Sequence, residues 1–131
     1  GNEAQDKAMN SLNRMVKRRN VWLGLVSHLR KMGESGKSFE DGVLASLDDI
    51  RGSGSIKQIS YDIFAFARNL NAEGSDTRNT IKLAVLKCRY TGLTGPAGKA
   101  TYDYHTGRLN YSGTKDAIGV VDTEDELIVD I

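Results

Sequence analysis

The chain has 131 residues, 39% hydrophobic and 27% charged, a length that allows one domain with a core and not two. No apolar run approaches the roughly 20 residues of a membrane-spanning helix, and the N-terminus lacks a signal-peptide core. The single cysteine, Cys88, excludes an internal disulfide and a cysteine-based zinc site. These features predict a cytoplasmic protein with no membrane partner and no metal site of its own.

The net charge of +1 conceals an uneven distribution. All 18 Lys and Arg lie in residues 1–115 beside 11 of the 17 Asp and Glu, so this body carries +7, whereas residues 116–131 carry −6. A basic body attracts polyanions such as nucleic acid. The acidic end could dock on a basic partner or compete with nucleic acid for the body, and the alternative is a solubilising, disordered tail.

The first predicted elements are a helix and a strand. Residues 3–19 carry apolar side chains at three- and four-residue spacing, which predicts an amphipathic helix. Residues 21–27, VWLGLVS, form a continuous apolar run typical of a buried parallel strand, so we predict an α/β fold. His28 follows at the carboxyl end of this strand, where ligands bind in α/β sheets. The histidine could contact a phosphate, or a nearby backbone group could satisfy it.

Two glycine-containing loops follow. Residues 29–47 contain three glycines and the cations Arg30, Lys31 and Lys37, which suits a loop that grips a nucleic-acid backbone. The GESGKS sequence inside it is not a Walker loop, because two residues rather than four separate its first glycine from Gly-Lys-Ser. A second turn leads into a short helix and could bind phosphate through backbone N–H groups, or supply a serine N-cap. This turn consists of Arg51, Gly52, Ser53 and Gly54.

Alternating apolar and polar residues predict three more strands. Residues 61–67 should form a second buried strand that ends at Arg68. Residues 80–89 should form a half-buried strand that pairs with residues 99–105 as a hairpin, which then turns into one more short strand. Tyr102 lies on this hairpin, where its ring could stack on a base or cover the edge of a core.

The strand over residues 80–89 ends in two cations, Lys87 and Arg89, which alternation places on one face. The glycine-rich sequence TGLTGPAG follows, so the chain turns there. Two cations on one face beside a glycine loop could grip a phosphate. The alternative is a solvated strand edge protected by charge, and the pattern leaves both interpretations open.

Three segments in this order carry a resemblance: SHLRK, DIRGSGSIKQISYDIFAFARN and LKCRYTGLTGPAGKATYDYHTGRL. Over residues 5–111 the chain resembles the C-terminal half of the motor domain of ring-shaped replicative helicases. These include the DnaB-like proteins, the mitochondrial helicase Twinkle and, closest, the primase-helicases of tailed phages. The resemblance implies that residues 1–111 form the C-terminal portion of a RecA-like (P-loop NTPase) sheet with a C-terminal β-hairpin. Residues 112–131 would be an acidic, flexible tail.

The same resemblance implies roles for single residues. His28 would sense the γ-phosphate, and Arg68 and Tyr102 would sandwich the nucleotide base. Arg89 would be the arginine finger with Lys87 as its companion, and both would reach the ATP of the neighbouring subunit. Two loops would line the DNA channel of the ring: Arg30, Lys31 and Lys37 in the first, and Arg51, Gly52, Ser53 and Gly54 in the second.

The sequence departs from the family by lacking the Walker loop, the magnesium-binding aspartate and the catalytic glutamate. The resemblance therefore implies a fragment of an ATP-dependent helicase that unwinds DNA by translocating on single-stranded DNA in a bacterium or a phage-infected host. The full-length protein would bind ATP or another NTP with Mg²⁺ and form a hexameric ring, and its acidic tail would contact a replicative DNA polymerase.

We expect the fragment alone to bind no cofactor and to hydrolyse no ATP. Without the central strands of the motor it should also expose a sheet edge and apolar surface. The alternative function is a non-enzymatic nucleic-acid-binding module derived from the motor.

Overall fold

The computed structural model describes residues 2–31, 38–52 and 54–112. The predicted acidic tail therefore lies outside the described residues, apart from its first residue. Within these ranges no helix combines the length and the apolar composition that crossing a bilayer requires. The elements in chain order are α1 (Asn2–Arg19), a 3₁₀ turn (Leu47–Asp49), α2 (Ser55–Ile59), β1 (Asp62–Arg68), α3 (Ser75–Arg78), β2 (Thr80–Cys88), β3 (Gly95–Asp103) and β4 (Arg108–Ser112).

The four strands form one antiparallel sheet in the order β1-β2-β3-β4. The predicted α/β class is confirmed, and so are the hairpin of β2 with β3 and the further strand β4. The hairpin turns place Gly92 at φ 70° and Gly107 at φ 73°, a left-handed conformation that glycine adopts without strain. The RecA-like assignment rests on the resemblance and stays a prediction.

The helical core lies where α1 and α2 meet the start of the sheet. Met9 of α1 and Ile56 of α2 are buried there together with Ile50, and Ile63 of β1 packs against them. The predicted amphipathic helix is therefore confirmed. Within the sheet itself the buried hydrophobic positions are small residues: Ala65, Ala67, Ala84 and Ala100.

Residues 21–27 do not form the predicted parallel strand. Their backbone is irregular and pairs with none of the four strands. Trp22 is 86% exposed and Val26 is 94% exposed. A parallel strand needs hydrogen-bonded neighbours and cover on both faces, and the described residues supply neither. The apolar run therefore stays in contact with solvent.

Strand β1 is confirmed, but only one of its faces is buried. Ala65 and Ala67 are buried, whereas Phe64 is 55% and Phe66 is 66% exposed. The alternation of the sequence predicts the strand correctly, because it depends only on neighbouring residues. Which face becomes covered depends on packing partners far along the chain. Exposed apolar surface, which the sequence predicts, is present on this sheet.

Candidate nucleotide and nucleic-acid interface

Arg68 and Tyr102, the predicted base-binding pair, lie close together at one end of the sheet. Arg68 ends β1 and Tyr102 lies near the end of β3, with β2 between them. The guanidinium carbon Cζ of Arg68 lies over the Tyr102 ring, 5.8 Å from its centre. A base in contact with both would need about 3.5 Å on each side, so the pair would have to separate by roughly 1 Å.

Two groups that no sequence motif marks hold the Arg68 guanidinium in place. Its Nε donates a hydrogen bond to the carbonyl oxygen of Arg78, and Nη2 donates to Oδ1 of Asn79 at 2.8 Å. Both partners lie at the end of α3. No motif marks Asn79, since its contact with Arg68 arises only when β1 pairs with β2.

Lys87 and Arg89 lie at the opposite end of β2 and point to a common partner, as alternation predicts. Nζ of Lys87 donates to the carbonyl oxygens of Lys57 at 2.5 Å and Gln58 at 3.2 Å, and Nη2 of Arg89 donates to that of Gln58 at 2.6 Å. These carbonyls belong to the end of α2, where helical C=O groups lack intrahelical partners and carry partial negative charge. In this structure the pair is held by its own chain, so binding a phosphate requires exchange of these bonds.

The surroundings of this pair contain two features that the sequence does not reveal. Arg89 lies over the ring of Tyr61, with Cζ 4.6 Å from its centre. A β-bulge at Leu86 shifts the pairing of β1 with β2, so that Lys87 pairs with Ile63. Because Ile63 packs against the helical core, Lys87 lies on the helix-covered face of the sheet.

The two candidate nucleotide contacts are therefore well separated. Arg68 shares the face of Phe64 and Phe66, because side chains alternate along a strand. Lys87 lies on the opposite face and pairs with Ile63, which precedes Arg68 by five residues along β1. Five residues of strand correspond to about 16 Å between these two positions. The sheet thus carries a flat cation–aromatic pair at one end and two cations at the other.

The pKa of Lys87 lies below its ordinary value, because burial disfavours the charged amine and the Arg89 guanidinium repels it. Between the folded and unfolded pKa values of this amine, the unfolded chain binds more protons, so stability should increase with pH across that window. We expect Arg89→Ala to raise the pKa of Lys87, measured by NMR titration of its side chain. Arg108→Ala, at the other end of the sheet, should leave that pKa unchanged. A pKa of Lys87 that does not move in Arg89→Ala would contradict the assignment of this repulsion.

The predicted phosphate sensor and the two predicted DNA loops are joined by backbone hydrogen bonds. The N–H of Arg30 donates to the carbonyl oxygen of Asp49 at 2.7 Å, and the N–H of Arg51 donates to that of His28 at 3.0 Å. The His28 side chain is exposed. Arg30, Lys31 and Arg51 line one shallow cleft between the two segments. Three of the predicted DNA contacts therefore lie together, where their charge can attract a phosphate backbone.

The predicted glycine turn leads into the short helix α2, as expected. Gly52 has φ 110°, a conformation that favours glycine, and the Gln5 amide fills the space that a Cβ would need. The N-cap residue of α2 is Gly54, which has no side chain to accept a capping hydrogen bond. The N-cap is therefore not a serine. Lys37 and Ser53 lie outside the described residues, and their roles stay predictions.

Asp41 anchors the far end of the basic loop next to the end of β1. Its carboxylate accepts a hydrogen bond from Nδ2 of Asn71 at 2.7 Å and another from the N–H of Ser38 at 3.0 Å. These two bonds lower the pKa of the Asp41 carboxyl. The described part of the loop has no helix or strand before the 3₁₀ turn, as predicted, and it returns close to the strand that carries Arg68.

The chain supplies part of what a nucleotide and Mg²⁺ would need. The Arg68–Tyr102 pair can stack on a flat base once its two groups separate, and the two cations can bind phosphate oxygens once they exchange their bonds to the α2 carbonyls. In the part of the chain that the structure describes, no group of three or more His, Cys, Asp or Glu side chains could hold a metal ion.

No model of a protein family matches this chain. The chain is 39% identical over 118 residues to the DNA helicase/primase of Enterobacteria phage T3, and the match covers 90% of this chain. It spans 20% of the length of that relative. The resemblance to phage primase-helicases that the sequence motifs indicate is confirmed, and the chain is similar to a fragment of such a helicase.

Proposed function

We propose that this chain, which resembles a segment of a phage DNA helicase/primase, is the part of a replicative DNA helicase that contacts single-stranded DNA and a neighbouring subunit's ATP. The identity of 39% over 90% of the chain supports this origin. Because the chain corresponds to a fifth of its relative, the Walker loop and the Mg²⁺ ligands belong in this proposal to a longer protein. That protein would act as a hexameric ring in the cytoplasm of an infected host.

The separation of the two proposed nucleotide contacts is the observation that carries the proposal. Arg68 and Tyr102 lie at one end of the sheet, and Lys87 and Arg89 lie at the other end on the opposite face. Two such sites are poorly placed to hold the base and the phosphates of one nucleotide. Their separation suits a ring in which each subunit holds the base of one nucleotide, while its two cations contact the phosphates of the nucleotide bound by the neighbouring subunit.

The chemistry assigned to Arg89 and Lys87 is electrostatic. Both side chains already donate to carbonyl oxygens at the end of α2. Phosphate oxygens carry full negative charge and accept stronger hydrogen bonds than neutral carbonyls, so a triphosphate brought close would compete for both donors. The planar guanidinium of Arg89 can then bond two phosphate oxygens at once and stabilise charge that develops during phosphoryl transfer.

The DNA-binding role rests on the cluster of Arg30, Lys31 and Arg51, joined in the proposal by Lys37 and the N–H groups of the 51–54 turn. The carbonyl of His28 accepts the N–H of Arg51. A movement of His28 in response to the phosphate would therefore displace the turn that touches DNA. Contact of the acidic tail with a replicative polymerase is part of the same proposal.

Arg51→Ala should weaken binding of single-stranded DNA and reduce the slope of log K against log salt by about 0.7, the contribution of one phosphate contact. No side-chain hydrogen bond ties Arg51 to other described residues, so the fold should be unaffected. Fluorescence anisotropy of a labelled oligonucleotide at several salt concentrations measures both quantities. Arg108→Ala removes an equal charge from β4 and should keep the original slope. If Arg51→Ala keeps it too, the DNA contact lies elsewhere.

A non-enzymatic nucleic-acid-binding module is the second candidate, favoured by the missing Walker loop. The gene separates the two candidates. A Walker loop upstream in the same reading frame favours the helicase, and a start codon near Gly1 favours the module. Both candidate functions predict the same effect of Arg51→Ala, so that experiment tests DNA binding alone. The sequence of the gene upstream of this segment tests whether the chain belongs to a helicase motor.

A further inference from the structure

Asn79 contacts both members of the base-binding pair through different atoms. Its side-chain Oδ1 accepts a hydrogen bond from Nη2 of Arg68, and its backbone carbonyl accepts one from the N–H of Tyr102, each at 2.8 Å. Its own N–H donates to the carbonyls of Ser75 and Thr77, which fixes it to the end of α3. One residue thus connects the cation, the aromatic strand and a helix.

We infer that Asn79 is the positioning residue of the base site: its side chain holds the Arg68 guanidinium plane against the Tyr102 ring. A free arginine side chain has many rotamers, and ordering it has an entropic cost. Here Nε and Nη2 are both hydrogen-bonded, and since both atoms lie in the guanidinium plane, two bonds fix that plane. A base that enters still has to separate the two groups by roughly 1 Å, but it meets a guanidinium whose orientation is already set, and this preorganisation increases affinity. The inference rests on the proposed base site.

The geometry allows this role to be separated from a structural one. The bond from Tyr102 goes to the backbone of Asn79, so every substitution at this position keeps it. The pairing of β1 with β2 likewise uses backbone groups. Loss of Oδ1 leaves the carbonyl of Arg78 as the one hydrogen-bond partner of the Arg68 side chain among the described residues, and a single bond lets the guanidinium rotate away from the ring.

The experiment titrates the 131-residue chain with adenosine, which has a base and no phosphate, and follows Arg68 Nε–H and the Tyr102 ring by NMR. Adenosine should shift both signals, and Asn79→Ala should weaken its affinity about tenfold, a typical effect of losing one charge-assisted hydrogen bond. Asn79→Asp should restore affinity, because a carboxylate oxygen accepts the same bond. Asn10→Ala is the matched control, since it removes an asparagine side-chain hydrogen bond within α1 and should leave the affinity unchanged.

The outcomes separate this inference from the function on which it rests. If adenosine shifts both signals and Asn79→Ala binds it as tightly as the unsubstituted chain, the positioning role is overturned and the base site stands. If Asn79→Asp binds as weakly as Asn79→Ala, the role is overturned as well, because the restored acceptor has no effect. If adenosine shifts neither signal in the unsubstituted chain, the base site itself fails and the inference falls with it.

Discussion

Arg89→Ala is expected to lower ATP turnover of the complete ring by about 10³- to 10⁵-fold, the range measured for arginine fingers. Assembly and nucleotide binding should stay close to normal, because the proposed base contact lies at the other end of the sheet. Steady-state phosphate release, native mass spectrometry and nucleotide titration measure the three properties. Turnover that survives the substitution would show that Arg89 is not the finger.

The bonds of Arg89 within its own chain call for a second variant. Arg89→Ala also removes a donor to the carbonyl oxygen of Gln58 and the contact with Tyr61, so lost turnover could reflect a disturbed α2. Arg89→Lys can still donate to that carbonyl but cannot form a planar two-pronged contact with phosphate. We expect Arg89→Lys to keep α2 intact and still to be strongly impaired. Tyr61→Leu removes the aromatic contact alone and should retain most of the turnover.

A mixed ring distinguishes a neighbour's nucleotide from the chain's own. Subunits carrying Arg89→Ala are combined with subunits whose Walker loop is disabled. If Arg89 acts across the interface, some interfaces combine the intact Walker loop of an Arg89→Ala subunit with the intact Arg89 of a Walker-disabled neighbour. Turnover should return at these interfaces and at no others. If Arg89 acts on its own subunit's nucleotide, no site in any mixture is complete and turnover stays at the level of the separate variants.

The sequence predicts those elements whose signal is local. Helix α1 and strand β2 follow from apolar spacing over neighbouring residues, and the glycines after Cys88 and before Arg108 mark the hairpin turns. The apolar run of residues 21–27 carries an equally clear signal and does not become a strand. A strand needs hydrogen-bonded neighbours from other parts of the chain, and the described residues offer none to residues 21–27. The apolar pattern alone therefore could not decide whether this segment becomes a strand.

The candidate site also combines residues that the sequence predicts with residues whose contacts depend on the fold. Motif resemblance leads to Arg68 and Tyr102, and the structure brings them together at 5.8 Å. It does not lead to Asn79 or Tyr61, because their contacts follow from strand register and a helix end. The bulge at Leu86 is equally hidden, although it decides which face Lys87 occupies. Residues recognised by motif thus form the proposed contact surface, and the residues that hydrogen-bond to them or pack on them emerge only from the fold.

The isolated 131-residue chain should release no phosphate from ATP in a magnesium-dependent manner. Hydrolysis requires a loop that cradles the phosphates, ligands for Mg²⁺ and a group that positions water. The Gly-Lys-Ser of residues 36–38 lacks Walker spacing, and the described residues contain no acidic cluster for the metal. In the proposal the two cations bind phosphate, but two cations do not by themselves orient a nucleophile.

Phosphate release with and without Mg²⁺ measures this, and Arg89→Ala purified in parallel serves as the control. Equal background release from both proteins would come from a contaminating ATPase and leaves the expectation intact. Magnesium-dependent turnover that disappears in Arg89→Ala would contradict it. In that case copies of this chain would be completing one another's sites, and the assignment of the Walker residues to a longer protein would be wrong.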